Sequence, residues 1–198
     1  MDKITEIIIG TNNQGKYKEI CDLLPDKIKK YSPRKLNIPS PEESGKNFKE
    51  NSFIKASYFS KKTNLICLSD DSGLEIDLLK GKPGIYSSRW AGQKSNFDIA
   101  IEKVFKEMNN VKENWKNKNN ARFICNMTLY LPNGKNFSSE GIIKGKISLT
   151  KKGKNGFGYD PIFIPDGYDQ TFGEMEPNLK LSIDHRFNAF LKIKKFFI

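Results

Sequence analysis

The sequence predicts an α/β fold, a mixed β-sheet flanked by helices. Three observations carry this. A β-branched run at residues 4–10 passes through a polar loop into a helix-periodic segment. A clean amphipathic stripe (Phe97, Ala100, Ile101, Val104, Phe105, Met108) marks a long helix. Strict alternation of Ala121, Phe123, Cys125, Met127, Leu129 and Leu131 with more polar neighbours marks a strand with one buried face, and Asn133-Gly134 then signals a hairpin. With 198 residues, a single domain over 1–198 is expected.

Taken in order, the first strand ends at Gly10, and Tyr17, Ile20, Cys21 and Leu24 recur at helical spacing until Pro25. Residues 32–47 hold Pro33, Pro39, Pro41 and Gly45 and read as loop. Residues 47–62 read as helix and 65–68 as a short buried strand that enters Ser69-Asp70-Asp71-Ser72-Gly73. The Asn/Lys-rich stretch 109–120 reads as a surface loop. Residues 136–144 should return antiparallel after the hairpin. Ile183, Phe187, Phe190 and Leu191 predict a closing helix with a basic outer side.

Composition excludes some classes. Apolar residues make up 37% and aromatics 12%, enough for a core. No apolar run approaches the roughly 20 residues of a membrane helix. Residues 1–6 carry no basic-then-apolar leader pattern, so a soluble, cytoplasmic protein is expected. Cys21, Cys67 and Cys125 have no paired spacing and read as small buried thiols. The net charge is +11, and residues 102–154 hold twelve Lys/Arg against four acids. That surplus favours an anionic partner without naming it; a solvated basic face is the plain alternative.

Four segments could carry chemistry. Gly10-Thr11-Asn12-Asn13-Gln14-Gly15-Lys16 matches the GxxxxGK part of a P-loop, between strand and helix. Tyr17 stands where a P-loop needs Ser or Thr. Backbone N–H groups at a helix start and one ammonium still suit a polyphosphate; a capped helix start is the alternative. Asp70 and Asp71 at a buried strand's end need partners or a metal, and hard oxygens of this kind suit Mg²⁺; a turn is the alternative. Glu42, Glu43 and Glu50 are further carboxylates, of which one near Asp71 could complete a metal site. In Gly156-Phe157-Gly158-Tyr159-Asp160-Pro161 a sharp turn would expose rings on which a base stacks, with Asp160 as acceptor; a structural aromatic turn is the alternative. Finally His185-Arg186 holds the sole histidine, with Lys180 five residues earlier.

Together these segments resemble the inosine triphosphate pyrophosphatase family. Its T-x-N-x-x-K appears as Thr11, Asn13 and Lys16. Its F-x-E-N-A-x-x-K-A appears as Phe48 to Ala56, with Ser52 for the first Ala. Its D-D-S-G-L runs from Asp70 to Leu74 and its G-x-P-G-x-Y-S-x-R from Gly81 to Arg89. F-G-Y-D-P-x-F is Phe157 to Phe163, and the closing K…S-H-R is Lys180…Asp184-His185-Arg186, with Asp184 for Ser. The resemblance spans residues 7–191.

It implies hydrolysis of ITP, dITP and XTP to the monophosphate and pyrophosphate with Mg²⁺ (Mn²⁺ as a substitute). It also implies an elongated sheet in two lobes with a central cleft, and a homodimer. Asp71 would be the catalytic carboxylate and, with Glu42, a metal ligand; Glu43 is the alternative if the alignment slips by one. Thr11, Asn13, Gly15, Lys16, Lys55, Ser72 and Arg89 would hold phosphates and sugar. Phe157, Gly158, Tyr159, Asp160, Lys180, His185 and Arg186 would frame the base. Donors there would accept the 6-carbonyl of hypoxanthine or xanthine and clash with adenine's amino group. Neither a membrane nor a dedicated nucleic acid partner is expected. The rivals are a septum-inhibitor-like pyrophosphatase of other base preference and a basic nucleic-acid-binding module.

Overall fold

A computed structural model describes residues 3–92, 95–111 and 114–198. Its strands are β1 (Glu6–Ile9), β2 (Lys29–Tyr31), β3 (Cys67–Ile76), β4 (Asn120–Tyr130), β5 (Asn136–Ile147) and β6 (Phe163–Pro165). Its helices are α1 (Gln14–Leu23), α2 (Phe48–Thr63), α3 (Phe97–Val111), α4 (Pro177–Ile183) and α5 (His185–Ile193). The six strands form one sheet in the order β2-β1-β3-β4-β5-β6. β1 runs parallel to β2 and β3, whereas β5 and β6 are antiparallel, so the sheet is mixed as expected. Among the described residues no helix is long and apolar enough to cross a membrane.

The chain divides into two compact units, each assembled from separated segments. The first comprises Met1–Asp71, Cys125–Gly141 and His185–Ile198. The period-2 geometry of β1 sorts its core: Ile7 and Ile9 pack with Ile20 of α1 and Phe190 of α5, while Ile8 packs with Ala56 and Phe59 of α2. A Cβ on Gly141 would stand 2.2 Å from the Ala189 nitrogen and the His185 carbonyl oxygen, so glycine permits α5 to lie directly on β5. The second unit comprises Ser72–Ile124 and Ile142–Asp184. Its core gathers Leu74, Ile76, Ile101, Val104, Phe123, Phe163 and Phe172.

Four expectations need correction. β3 does not stop at Leu68 but carries Asp70 and Asp71 inside a strand that runs to Ile76, so they are ladder residues rather than a turn. β4 is buried on both faces over most of its length. Its polar residues Asn126 and Thr128 are satisfied by the Ser52 hydroxyl of α2, at 2.9 and 2.7 Å. That bond also gives a reason for Ser52 where the family motif has Ala. The stretch 109–120 is not all loop: α3 continues to Val111, and Trp115 is buried with its indole N–H on Asn109 Oδ1 at 2.7 Å. Residues 112 and 113 lie outside the described residues. Finally, the closing helix is two helices broken at Asp184, and Leu191 is exposed while Ala189, Phe190 and Ile193 face the core.

Candidate active site

In the first unit, β1 delivers the chain to Gly10, whose missing side chain matters. A Cβ there would meet Cys67 Sγ at 2.8 Å and Ser69 Cβ at 2.9 Å. The Ser69 hydroxyl instead donates to the Gly10 carbonyl at 2.6 Å. The polar loop then starts α1: Asn13 Oδ1 caps the helix by accepting the Lys16 N–H at 3.0 Å, and Thr11 Oγ1 accepts from the Asn13 N–H. One turn of α1 therefore presents Lys16, whose Nζ lies 3.3 Å from Asp70 Oδ2.

Asp70 is fully buried and is the hub of this unit. Arg186, in the first turn of α5, places Nε 3.2 Å from the same oxygen and Nη1 2.7 Å from Glu19 Oε2. Burial alone would raise the Asp70 carboxyl, but Lys16, Arg186 and Lys55 outweigh it and hold the group well below the usual carboxylate range. The other oxygen, Asp70 Oδ1, is buried without a hydrogen-bond partner among the described residues.

Beside it stands Asp71. α2 begins with an Asn47 cap on Glu50 and carries Asn51 and Lys55 one turn apart, hence on one face. Lys55 Nζ bonds Asp71 Oδ1 at 2.9 Å and Glu43 Oε1 at 2.6 Å. Asn51 Nδ2 donates to Asp71 Oδ2 at 3.2 Å, and Asn51 Oδ1 accepts the Gly45 N–H at 2.8 Å. Asp71 is thus held at both oxygens, and the loop that bears Glu43 is tied to the same helix face. Burial disfavours the Lys55 charge, yet Asp71 and Glu43 more than offset this and raise its pKa. Burial likewise pushes Glu43 upward, and Lys55 overrides it to leave the carboxyl lowered. Glu42 is exposed. Of the two glutamates, Glu43 is the one that converges with Asp71.

Among the described residues no group of three or more carboxylate, thiol or imidazole side chains is placed to hold a metal ion, but the donor types around Asp71 are those that a hard divalent cation takes. Glu43, Asp70 and Asp71 offer oxygens only, and the unsatisfied Asp70 Oδ1 is a buried acceptor that a cation would complete. The Lys55 ammonium already stands between Glu43 and Asp71, which marks that spot as one where positive charge is stabilised.

In the second unit, Gly156 and Gly158 adopt positive φ (72° and 68°) and fold the aromatic turn onto Asp160, whose Oδ2 accepts the Phe157 N–H at 2.9 Å. The turn does not expose both rings. Tyr159 is buried at 2% exposure, packs edge-on against Phe97, and donates its hydroxyl proton to the Ser87 carbonyl at 2.9 Å. Burial raises its pKa. Phe157 is half-buried and remains the candidate stacking ring. Lys180 is buried, 3.1 Å from Asp160 Oδ2, with its ammonium over Phe157 at 5.2 Å and Phe172 at 5.5 Å. Ser72 lies half-buried in β3. Arg89 is exposed and stacks over Tyr86 at 4.9 Å.

Thus Lys16, Lys55, Asp71 and Arg186 gather in the first unit, with Thr11, Asn13 and Gly15 at its helix start. Phe157, Gly158, Tyr159, Asp160 and Lys180 gather in the second. His185 is buried beside Arg186 at the start of α5.

A model of the Ham1 family matches residues 7–196. The chain belongs to the Ham1 family. It is 42% identical over 193 residues to a dITP/XTP pyrophosphatase of Oceanobacillus iheyensis, covering 96% of each chain. It is 39% identical over 188 residues to one of Rhodospirillum centenum, covering 94% of this chain and 92% of the relative. Among solved structures, a HAM1 protein from Coxiella burnetii superposes with a TM-score of 0.85 at 35% identity, covering 97% and 98% of the two chains. The Staphylococcus aureus Ham1 protein gives 0.82 at 34% identity, covering 96% and 97%. The family resemblance read from the motifs and the mixed-sheet α/β architecture are both borne out.

Two partners of the site residues in this Ham1 family chain were not given a role by the motif reading: Glu19 braces Arg186 and Asn51 braces Asp71, while Asp70, read from the sequence as a carboxylate in need of a partner, joins Lys16 to Arg186. A signal for the first two exists in the helical spacing: Glu19 follows Lys16 by three residues and Asn51 precedes Lys55 by four.

Proposed function

We propose that this chain is a nucleoside-triphosphate pyrophosphohydrolase that converts noncanonical purine nucleotides (ITP, dITP, XTP) to the monophosphate and pyrophosphate, with Mg²⁺ as cofactor. The observation that carries the reading is the Glu43–Lys55–Asp71 set beside Asp70. It combines a carboxylate fixed at both oxygens with cations placed for a polyanion. The names of the relatives, dITP/XTP pyrophosphatases, support the substrate class.

Lys16 and Lys55 bind the phosphates and offset the charge that builds on the departing pyrophosphate. The N-terminal N–H groups of α1, ordered by Asn13, add donors to the same end of the substrate. Asp71, oriented by Asn51, accepts a proton from the water that attacks the α-phosphorus. Asp71 and Glu43, with Asp70, would hold Mg²⁺, which supplies further charge neutralisation and a more acidic water. Phe157 stacks on the purine, and Asp160, Lys180, His185 and Arg186 read its edge. Ser72 and Arg89 support the sugar and phosphates. We assign the enzyme to the cytoplasm and to a homodimer.

Pyrophosphate release from dITP, ITP, XTP, ATP and GTP, with Mg²⁺ and again with excess chelator, tests this. Turnover confined to the first three and abolished by the chelator is expected. Equal rates on all five, or none on dITP and XTP, would overturn it.

A further inference from the structure

β1 pairs with β3 as far as Leu68. Farther along β3, in the second unit, residues 82–87 run beside the strand instead. The Ile76 N–H donates to the Lys82 carbonyl at 3.2 Å, and Glu75 and Pro83 form a single antiparallel bridge. The Leu74 N–H donates to Ser87 Oγ at 3.0 Å, so a side-chain oxygen serves a strand donor there.

Ser87 is buried and makes more than that one bond. Its hydroxyl donates to the Gly84 carbonyl at 2.7 Å. The same carbonyl accepts the Ser87 N–H at 3.1 Å and closes a helical turn over Gly84–Tyr86. The Ser87 carbonyl in turn accepts from the Tyr159 hydroxyl at 2.9 Å, across 72 residues of sequence. One serine therefore joins β3 at Leu74, the 81–89 loop and the aromatic turn at 157–160, all within the second unit. Burial raises the Tyr159 pKa, so its hydroxyl stays protonated and remains a donor at neutral pH.

Tyr159 lies inside the turn that bears Phe157 and Asp160. The Phe157 N–H is bonded to Asp160 Oδ2, so ring and carboxylate are placed together with the Tyr159 backbone. The Tyr159 ring rests edge-on against Phe97 at 5.4 Å, and its hydroxyl bond to Ser87 fixes the far end of the side chain. We propose that Ser87 is a positioning residue for the purine: through the Tyr159 hydroxyl it holds the 157–160 turn in the arrangement that receives the base. This inference rests on the assignment of that turn to the base, made under the proposed function. Without the bond the turn samples other arrangements, and apparent affinity falls with the fraction of molecules correctly arranged. Saturating nucleotide restores the arrangement, so turnover at Asp71 is spared.

Steady-state kinetics on dITP are compared for wild type, Tyr159→Phe, Ser87→Ala and the double variant, alongside inhibition by inorganic pyrophosphate. Tyr159→Phe removes one oxygen and keeps the buried ring. Each single variant should raise KM for dITP about tenfold, the worth of one buried hydrogen bond, with kcat within about twofold of wild type. The double variant should show no further rise, because both changes cut the same tie. Pyrophosphate reports on the phosphate end, where Lys16 and Lys55 belong to the first unit, and its inhibition should be unchanged in Tyr159→Phe. A wild-type KM in Tyr159→Phe overturns the inference, and so do KM rises that multiply in the double variant. Weakened pyrophosphate inhibition in Tyr159→Phe also overturns it, since a general structural role moves both ends of the substrate. Should Ser87→Ala fail to melt cooperatively, Tyr159→Phe decides alone. Absence of pyrophosphate release from dITP by wild type overturns the proposed function instead.

Discussion

Replacing Asp70 with Asn keeps the shape of a fully buried side chain and removes its charge. Two cations then face a neutral amide: Lys16 at 3.3 Å and Arg186 at 3.2 Å. Removing one partner of a buried ion pair costs about 3–5 kcal/mol, because the other charge stays desolvated. Arg186 keeps Glu19 at 2.7 Å, and the Lys16 side chain, 15% exposed, can turn to water. The loss at neutral pH should therefore fall at the low end, about 3 kcal/mol. For a chain of this size that corresponds to a drop in Tm of roughly 6–12 °C. The pH dependence has a definite sign. Burial raises the Asp70 carboxyl, but Lys16, Arg186 and Lys55 lower it further, so the folded value lies below the unfolded one. The stabilisation is complete above the unfolded value near ~3.9 and is lost as pH falls toward the folded value. Asn has no such contribution, so the stability curves of the two proteins should converge as the pH drops below about 4. Urea unfolding followed by circular dichroism at several pH values reads this directly. A gap under about 1 kcal/mol at neutral pH, the range of exposed pairs, would refute the buried-hub argument. A gap that stays constant into the acid range would do the same.

Asp71→Asn should lower kcat by about 10²-fold or more, because the amide lacks the carboxylate's basicity and sets an N–H₂ group against one of the two donors, Lys55 and Asn51, that hold the oxygens of Asp71; single-turnover kinetics on dITP check this. Lys55→Met should raise the Glu43 carboxyl from its lowered value, since Lys55 is the group that overcomes burial there, and should also weaken nucleotide binding. Carboxyl-carbon NMR titration reads the first effect and calorimetry with a nonhydrolysable nucleotide the second. Gly141→Ala puts a methyl 2.2 Å from two backbone atoms of α5, so helix and strand must separate. A loss of about 1–3 kcal/mol in thermal unfolding is expected, whereas Gly81→Ala, with open space around its Cβ but φ of 84°, should show only the cost of its backbone conformation.

Much of this architecture is legible in the residues because local periodicity and tertiary burial agree. The apolar stripe of α3 and the Asn133-Gly134 hairpin each point one way at both levels. The failures occur where a local signal is outvoted by a distant partner. Ser69 to Gly73 is turn-like in composition, yet pairing within the sheet extends it as strand, and remote cations stabilise its carboxylates. Asn126 and Thr128 read as solvent-facing until Ser52, more than seventy residues away, satisfies them. Trp115 sits in an Asn/Lys-rich stretch, but its indole finds Asn109 and its ring stacks on Phe105. The candidate site follows the same rule. Motif residues are visible as types at spacings, whereas the choice of Glu43 over Glu42 to meet Lys55 depends on how Asn51 anchors the loop at Gly45.

The hub at Asp70 also has a history in time. Its bond to Arg186 joins residues 116 positions apart, and Arg186 in turn reaches Glu19 across 167. A chain made from its amino end at about 5–20 residues per second therefore holds Asp70 for several seconds before α5 exists to meet it. During that interval Lys16 is the only one of its two close cations already synthesised. Final consolidation of the first unit must wait for His185–Ile198 to arrive, which leaves the nascent protein open to proteases and self-association until α5 has been made.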